Sequence, residues 1–237
     1  MIFVTSDLHG YPLSNFQDLL HRAGFGQQPD DFLFILGDVI DRNGDGGVET
    51  LCWLLTQPNV QLLLGNHEAF LLACDFLFET ITESSLDSIT ETQMEIFTHW
   101  VANGAEPTIT SLRALAARCP ERIDEILEYL REAPIYEIVS VDSGDFLLVH
   151  GGLGNFHPNK KLSQYTRDEL IWTRPEFDEH YYADVMTILG HTPTGYYDPS
   201  YSGRIYKTPT WMDIDTGAAD GGAPMILRLD DMQEFYV

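Results

Sequence analysis

The chain has 237 residues, 44% hydrophobic and 21% charged, enough to bury a substantial core without covalent staples. Its 37 Asp and Glu face 13 Lys and Arg, a formal charge of −24 that repels phosphate backbones and argues against broad DNA or RNA capture. Any phosphorylated ligand must therefore meet concentrated local positive charge, from cations or a few Arg side chains.

In chain order, Ile2–Thr5, Phe32–Leu36 and Val60–Leu64 are short runs of β-formers that predict buried strands. Between them, Leu13–Ala23 and Val48–Leu55 carry apolar residues at helical spacing. This β-α-β-α-β order predicts an α/β layered core. The stretch from about 69 to 131 reads as helical, with boundaries near Asn103-Gly104, Pro107 and Pro120; it shows no motif and is expected to shape a substrate entrance. Strands return at Ile135–Val141 and Phe146–Val149, joined by the turn signal Asp142-Ser143-Gly144-Asp145. Val185–Leu189, Arg204–Lys207, Trp211–Ile214, Met225–Leu229 and Glu234–Val237 are further strand candidates. No repeat, linker or low-complexity run interrupts the sequence, so the expectation is one domain over 1–237 with a helical insertion. Cys52, Cys74 and Cys119 lack metal-ligand spacing and read as reduced thiols. No basic region precedes the first apolar run, and no apolar stretch is long enough to span a bilayer. A soluble cytoplasmic protein without membrane contact is therefore expected.

Five strand candidates run directly into polar clusters: Ser6-Asp7-Leu8-His9-Gly10, Gly37 to Arg42, Gly65 to Glu68, His150-Gly151-Gly152 and Gly190-His191-Thr192. Singly each is weak, since an isolated Asp-x-His is more often a surface turn and Gly-Asn-His-Glu is an ordinary helix start. Together they place carboxylates, imidazoles, a carboxamide and an Arg at the carboxyl ends of strands, where ligands of α/β sheets sit. Mixed oxygen and nitrogen ligation without thiolate suits manganese, iron, zinc or cobalt. One carboxylate can bridge two cations, and Asp38 is the obvious candidate.

This ordered series resembles the calcineurin-like metallophosphoesterases, and most closely their phosphoprotein phosphatase branch in its small bacterial and phage form. The resemblance covers essentially the whole chain. It implies a central two-sheet mixed β-sandwich flanked by helices, with two divalent transition metal ions, manganese foremost, at one edge. It implies that Asp7 and His9 bind one metal, that Asn66, His150 and His191 bind the other, and that Asp38 bridges them. It also implies direct attack by a hydroxide between the metals, without a phosphoenzyme. His67 then serves as general acid, Asp41 orients it, and Arg42 grips the phosphoryl oxygens. By position Arg174 matches the family's second Arg, with Arg204 as the alternative. His21, His99, His157 and His180 read as surface or structural.

Many relatives have a Gly directly after the Asp-Arg pair, whereas this chain has Asn43 before Gly44, and Asn43 is expected to take up the left-handed turn. The expected activity is a serine/threonine protein phosphatase, since Asp41 and Glu68 differ from the pattern of symmetrical dinucleoside tetraphosphate hydrolases, the main alternative on this framework. A nucleic-acid or cyclic-nucleotide phosphodiesterase fits the acidic surface poorly. A metal-free interaction scaffold should have lost ligands, and none is missing. The expected partner is a phosphorylated substrate, foremost a phosphoprotein; oligomeric state is not legible.

Overall fold

In the computed structural model, which describes residues 1–78 and 89–237, alternation within single strands builds the layers. In β1 (Ile2–Thr5) and β2 (Phe32–Ile35), Val4 and Phe34 face one way, while Phe3, Leu33 and Ile35 face the other. These strands pair in parallel, and β3 (Val60–Leu62) adds to β2 in the same sense. The sheet is completed on the other edge by antiparallel β9 (Ile226–Arg228) and β10 (Gln233–Phe235). The second sheet has the order β4 (Tyr136–Val141), β5 (Gly144–Val149), β6 (Met186–Leu189), β8 (Trp211–Asp213) and β7 (Tyr206–Lys207). Its centre, β5-β6-β8, is parallel, and its two edge pairs are antiparallel. The expected two-sheet mixed sandwich is therefore what the chain forms.

Val4, Phe34, Leu36 and Leu63 from the first sheet meet Phe146, Leu148, Ile188 and Met212 from the second in one buried cluster. The outward residues of the first sheet pack under α1 (Leu13–Ala23) and α2 (Val48–Leu54), with Phe16, Leu19, Leu51 and Leu54 buried against them. Leu147, Val149 and Trp211 pack outward against a loop layer containing Leu153, Leu170 and Tyr181. Burial on both faces explains why these strands read as nearly continuous apolar runs.

The stretch predicted as helical contains α3 (Asn66–Ala73), α4 (Glu91–Ala102), α5 (Glu106–Ala116) and α6 (Pro120–Glu132). Its part at 79–88 lies outside the described residues. Thr90 caps α4, accepting a hydrogen bond from Gln93 N, and α5 and α6 carry Pro in their first turns. A short helix that was not expected, α7 (Arg167–Ile171), precedes Arg174 and is capped reciprocally by Thr166 and Glu169, a Thr-x-x-Glu signal in the sequence. The strand expected from Arg204 begins only at Tyr206, and Arg204 N instead donates to Tyr201 O at 2.9 Å. Among the described residues no helix is long and apolar enough to cross a membrane.

Candidate metal centre

Each predicted cluster follows a strand at the same edge of the sandwich. Asp7 and His9 follow β1, Asp38, Asp41 and Arg42 follow β2, and Asn66 and His67 open α3 just after β3. His150 and His191 leave β5 and β6. The backbone turns sharply at these points: Asp7 (φ 52°), His9 (43°), Asp38 (53°), Asp41 (77°), Arg42 (69°) and His191 (69°) all adopt left-handed conformations. They are six of the eight non-glycine residues with positive φ among the described residues. Such strain costs on the order of 1–3 kcal/mol per residue and persists where surrounding structure over-determines it, most often at functional sites. Asn43 is not among them, so the expected left-handed Asn is corrected: Asp41, Arg42 and Gly44 make the turn. The Asn43 amide instead donates to His9 O and Ala218 O, both at 3.0 Å. It ties the β2 loop to the β1 loop. Gly190 is needed for close approach, because a Cβ there would collide with the Ser6 and Asp7 side chains.

The side chains converge. Asp38 lies at the middle, with Oδ1 3.4 Å from His150 Nε2 and Oδ2 3.6 Å from His9 Nε2 and 3.9 Å from His67 Nε2. His9 Nε2 is also 3.9 Å from Asp7 Oδ1, and His150 Nε2 is 2.9 Å from Asn66 Oδ1. Two sets of donor atoms, His9–Asp38–His67 and Asp38–His150–His191, each fit within 4.8 Å, with Asp38 in both. That is the arrangement a bridging carboxylate requires. Nδ1 of His9 faces Ile40 O at 3.0 Å and Nδ1 of His150 faces Leu36 O at 2.5 Å, which turns each Nε2 toward the cavity. Asp7 Oδ1 and His191 Nε2 are buried without any hydrogen-bond partner. Unpaired buried donors and acceptors of this kind are costly, and a cation satisfies them. The donor set therefore fits divalent metals.

His67 differs from the other imidazoles. Its Nδ1 contacts a carboxylate, Asp41 Oδ2, at 2.6 Å, rather than a carbonyl. Asp41 is itself fully enclosed, accepting from Trp100 Nε1 at 2.7 Å and from Thr108 Oγ1 at 2.6 Å. Against burial, which lowers it, the Asp38 and Asp41 carboxylates hold His67 above the ordinary imidazole range. Burial instead carries His9 and His191 down to about 3, which keeps them neutral, as a ligand must be. Burial likewise opposes the charged form of His150, but the Asp38 carboxylate outweighs it and lifts His150 to about 10. Despite its burial, the His150 and His67 imidazoles, with His9, hold Asp38 well below the usual carboxylate range. Burial and the Asp215 charge push Asp7 well above that range.

Arg42 and Arg174 both line the cavity above these groups, whereas Arg204 does not. Trp172 stands at its wall, edge-on to His191 at 6.0 Å between ring centroids. Glu68 is buried beneath, its carboxylate accepting from the backbone N–H groups of Asp38 and Val39, both at 2.8 Å, and of Gly65 at 3.1 Å. One acidic side chain thus fastens the β2 loop to the start of α3. His21, His99, His157 and His180 are exposed, as expected, and do not line the cavity.

Asp215 was not legible as part of the site. It follows β8, is 1% exposed and lines the same cavity as His9, Asp38 and His191. The available signal was a sixth strand end running into a polar cluster, Asp213-Ile214-Asp215-Thr216-Gly217.

A family model described as calcineurin-like phosphoesterase matches residues 1–216. The chain belongs to this family. It is 27% identical over 170 residues to a symmetrical bis(5'-nucleosyl)-tetraphosphatase of Acidovorax sp. (strain JS42), spanning 72% of this chain and 47% of that protein. The chain thus matches about half the length of that relative. Over its full length this calcineurin-like phosphoesterase superposes on 92% of a structure provisionally described as a diadenosine tetraphosphatase, with a TM-score of 0.64 and 17% identity. It also superposes on 79% of a serine/threonine phosphatase from Saccharomyces cerevisiae, with a TM-score of 0.57 and 15% identity. These two likenesses are of fold.

Proposed function

We propose that this chain is a two-metal phosphomonoesterase acting on phosphoserine and phosphothreonine in proteins. The buried His67–Asp41 pair is the observation that carries the reading. A serine or threonine alkoxide is a strong base and departs only as a proton reaches it, whereas a nucleoside polyphosphate departs as a weakly basic anion and needs no such donor. With Nδ1 held by Asp41, His67 presents Nε2 to the cavity, its pKa raised in favour of the imidazolium that delivers the proton to the leaving oxygen. Arg42 and Arg174 orient the phosphoryl oxygens from the rim. Asp7, His9, Asn66, His150 and His191 hold the cations, with Asp38 shared between them. Manganese suits this donor set, with iron, zinc and cobalt as competitors. When bound, two divalent cations supply Lewis acidity and the positive charge that the chain's acidic surface otherwise denies a phosphate. A covalent cysteine route fits poorly, because burial pushes the Cys74 thiol up to about 11.

The names of the relatives favour a second reading, hydrolysis of dinucleoside tetraphosphates on the same metals. The two separate in one assay of the manganese-loaded protein, comparing phosphate release from phosphoserine, phosphothreonine and phosphotyrosine peptides with cleavage of diadenosine tetraphosphate. The expected kcat/KM is at least about tenfold higher on the phosphoserine or phosphothreonine peptides. A preference of that size for the dinucleotide overturns the phosphatase reading.

A further inference from the structure

We infer that Asp215 is a further carboxylate of the metal centre, placing a negative oxygen on the cation beside Asp7. The backbone around it is fixed on three sides. Asp215 N donates to Asp213 Oδ1 at 2.8 Å, its carbonyl accepts from Thr194 N at 2.9 Å, and its Oδ1 accepts from Gly217 N at 2.9 Å. The carboxylate therefore has a set direction. Its second oxygen has no hydrogen-bond partner among the described residues, and the side chain lines the cavity with His9, Asp38 and His191.

Asp7 shows the complementary pattern. Its Oδ2 accepts from Ser6 Oγ and from His191 N, the latter at 2.9 Å, while Oδ1 is buried with no partner. Asp7 thus keeps one buried oxygen without a partner, 3.9 Å from His9 Nε2 and beside the cavity that Asp215 lines. A carboxylate oxygen taken out of water without a partner is costly, and it is tolerated where a cation meets it. Electrostatics agree, since Asp215 is the strongest charge acting on Asp7. Asp213 does not share this role: it is the buried last residue of β8, does not line the cavity, and spends its Oδ1 on Asp215 N.

The inference concerns the cations and is independent of the substrate. Its test is manganese binding to metal-stripped protein, followed by calorimetry and by metal analysis after dialysis, for wild type, Asp215→Asn and Asp215→Ser. The expected result is that the weaker of two manganese sites loses at least about tenfold in affinity in both variants. Circular dichroism of the stripped variants checks the fold, and Asp215→Ser guards against an Asn side chain that disturbs the turn. Manganese affinities within about twofold of wild type in a folded variant would overturn the assignment. Wild-type protein that binds no manganese would overturn the metal centre and this inference with it, whatever the activity on either substrate.

Discussion

His67 and its neighbours His9 and His150 are all buried imidazoles turned toward Asp38, yet their rings are held differently. The difference lies at Nδ1. A carbonyl partner, as at His9 and His150, fixes the ring and leaves Nε2 free to ligate, whereas the Asp41 carboxylate favours the imidazolium. His67→Asn should therefore lower kcat by roughly 10²–10⁴ while metal content, measured after dialysis, stays at the wild-type level. Loss of metal would instead make His67 a ligand, the role its 3.9 Å approach to Asp38 leaves open to test. The pH dependence follows from the same contact. In the proposed reaction only protonated His67 delivers the proton, so kcat should fall as pH rises through its raised pKa. Asp41→Asn removes one of the charges that raise it, so the falling limb of the profile should move to lower pH. A limb that stays in place would mean that Asp41 acts only through packing.

At the scale of elements, the helical stretch contributes Asn103 to the cavity lining and also encloses Asp41. Trp100 at the end of α4 and Thr108 in α5 reach back 59 and 67 residues along the chain to enclose Asp41. Gly104, between the two helices, accepts a hydrogen bond from Arg42 N at 2.9 Å. These two helices thus wall in the carboxylate that holds His67 Nδ1. Trp100→Phe keeps the ring and deletes one N–H aimed at a buried carboxylate, so it should destabilise the protein by about 1–3 kcal/mol in denaturant unfolding. It should also lower kcat, and its effect should be less than additive with that of Asp41→Asn. Full additivity would show the contact to be incidental. No pattern in the sequence pointed to Trp100 or Thr108, because such a contact has no local period and a Trp in an apolar helix reads as core. The strands were legible because both faces of the central sheets are covered, and β1 and α1 run where their apolar spacing places them. The clusters at strand ends were legible because each joins ligating residues to glycine immediately after a β-run. Asp215 escaped because its cluster holds one carboxylate of the cavity and no imidazole, and Asn43 misled because its amide, rather than its backbone freedom, is what the fold uses.

For the molecule as a whole, the net charge of −24 and the buried carboxylates under the cavity act in the same direction. Burial, with Asp38 among the charges that add to it, raises both Asp215 and Glu68 to about 7. Burial and the Asp215 charge raise Asp213 as well. A carboxyl whose folded pKa lies above its unfolded value binds more protons in the folded state over the interval between the two. Its contribution is therefore present at low pH and is lost as pH rises through the folded value. Metal-stripped protein should accordingly lose stability between about pH 4 and pH 7, the four raised carboxyls of Asp7, Glu68, Asp213 and Asp215 outweighing His9 and His191, whose lowered values act oppositely there. Each tenfold difference in proton affinity between the folded and unfolded chain is worth about 1.4 kcal/mol, against a total stability of roughly 5–15 kcal/mol. Cations reverse the sign, because carboxylates that ligate must be ionised and binding to the folded state alone adds stability. The melting temperature of the stripped protein should thus fall as pH is raised across this window, while that of manganese-loaded protein holds or rises, so the stabilisation by metal grows with pH. A metal-induced gain in melting temperature that is the same at pH 5 and pH 7.5 would mean that these buried carboxylates are already neutralised by the protein itself.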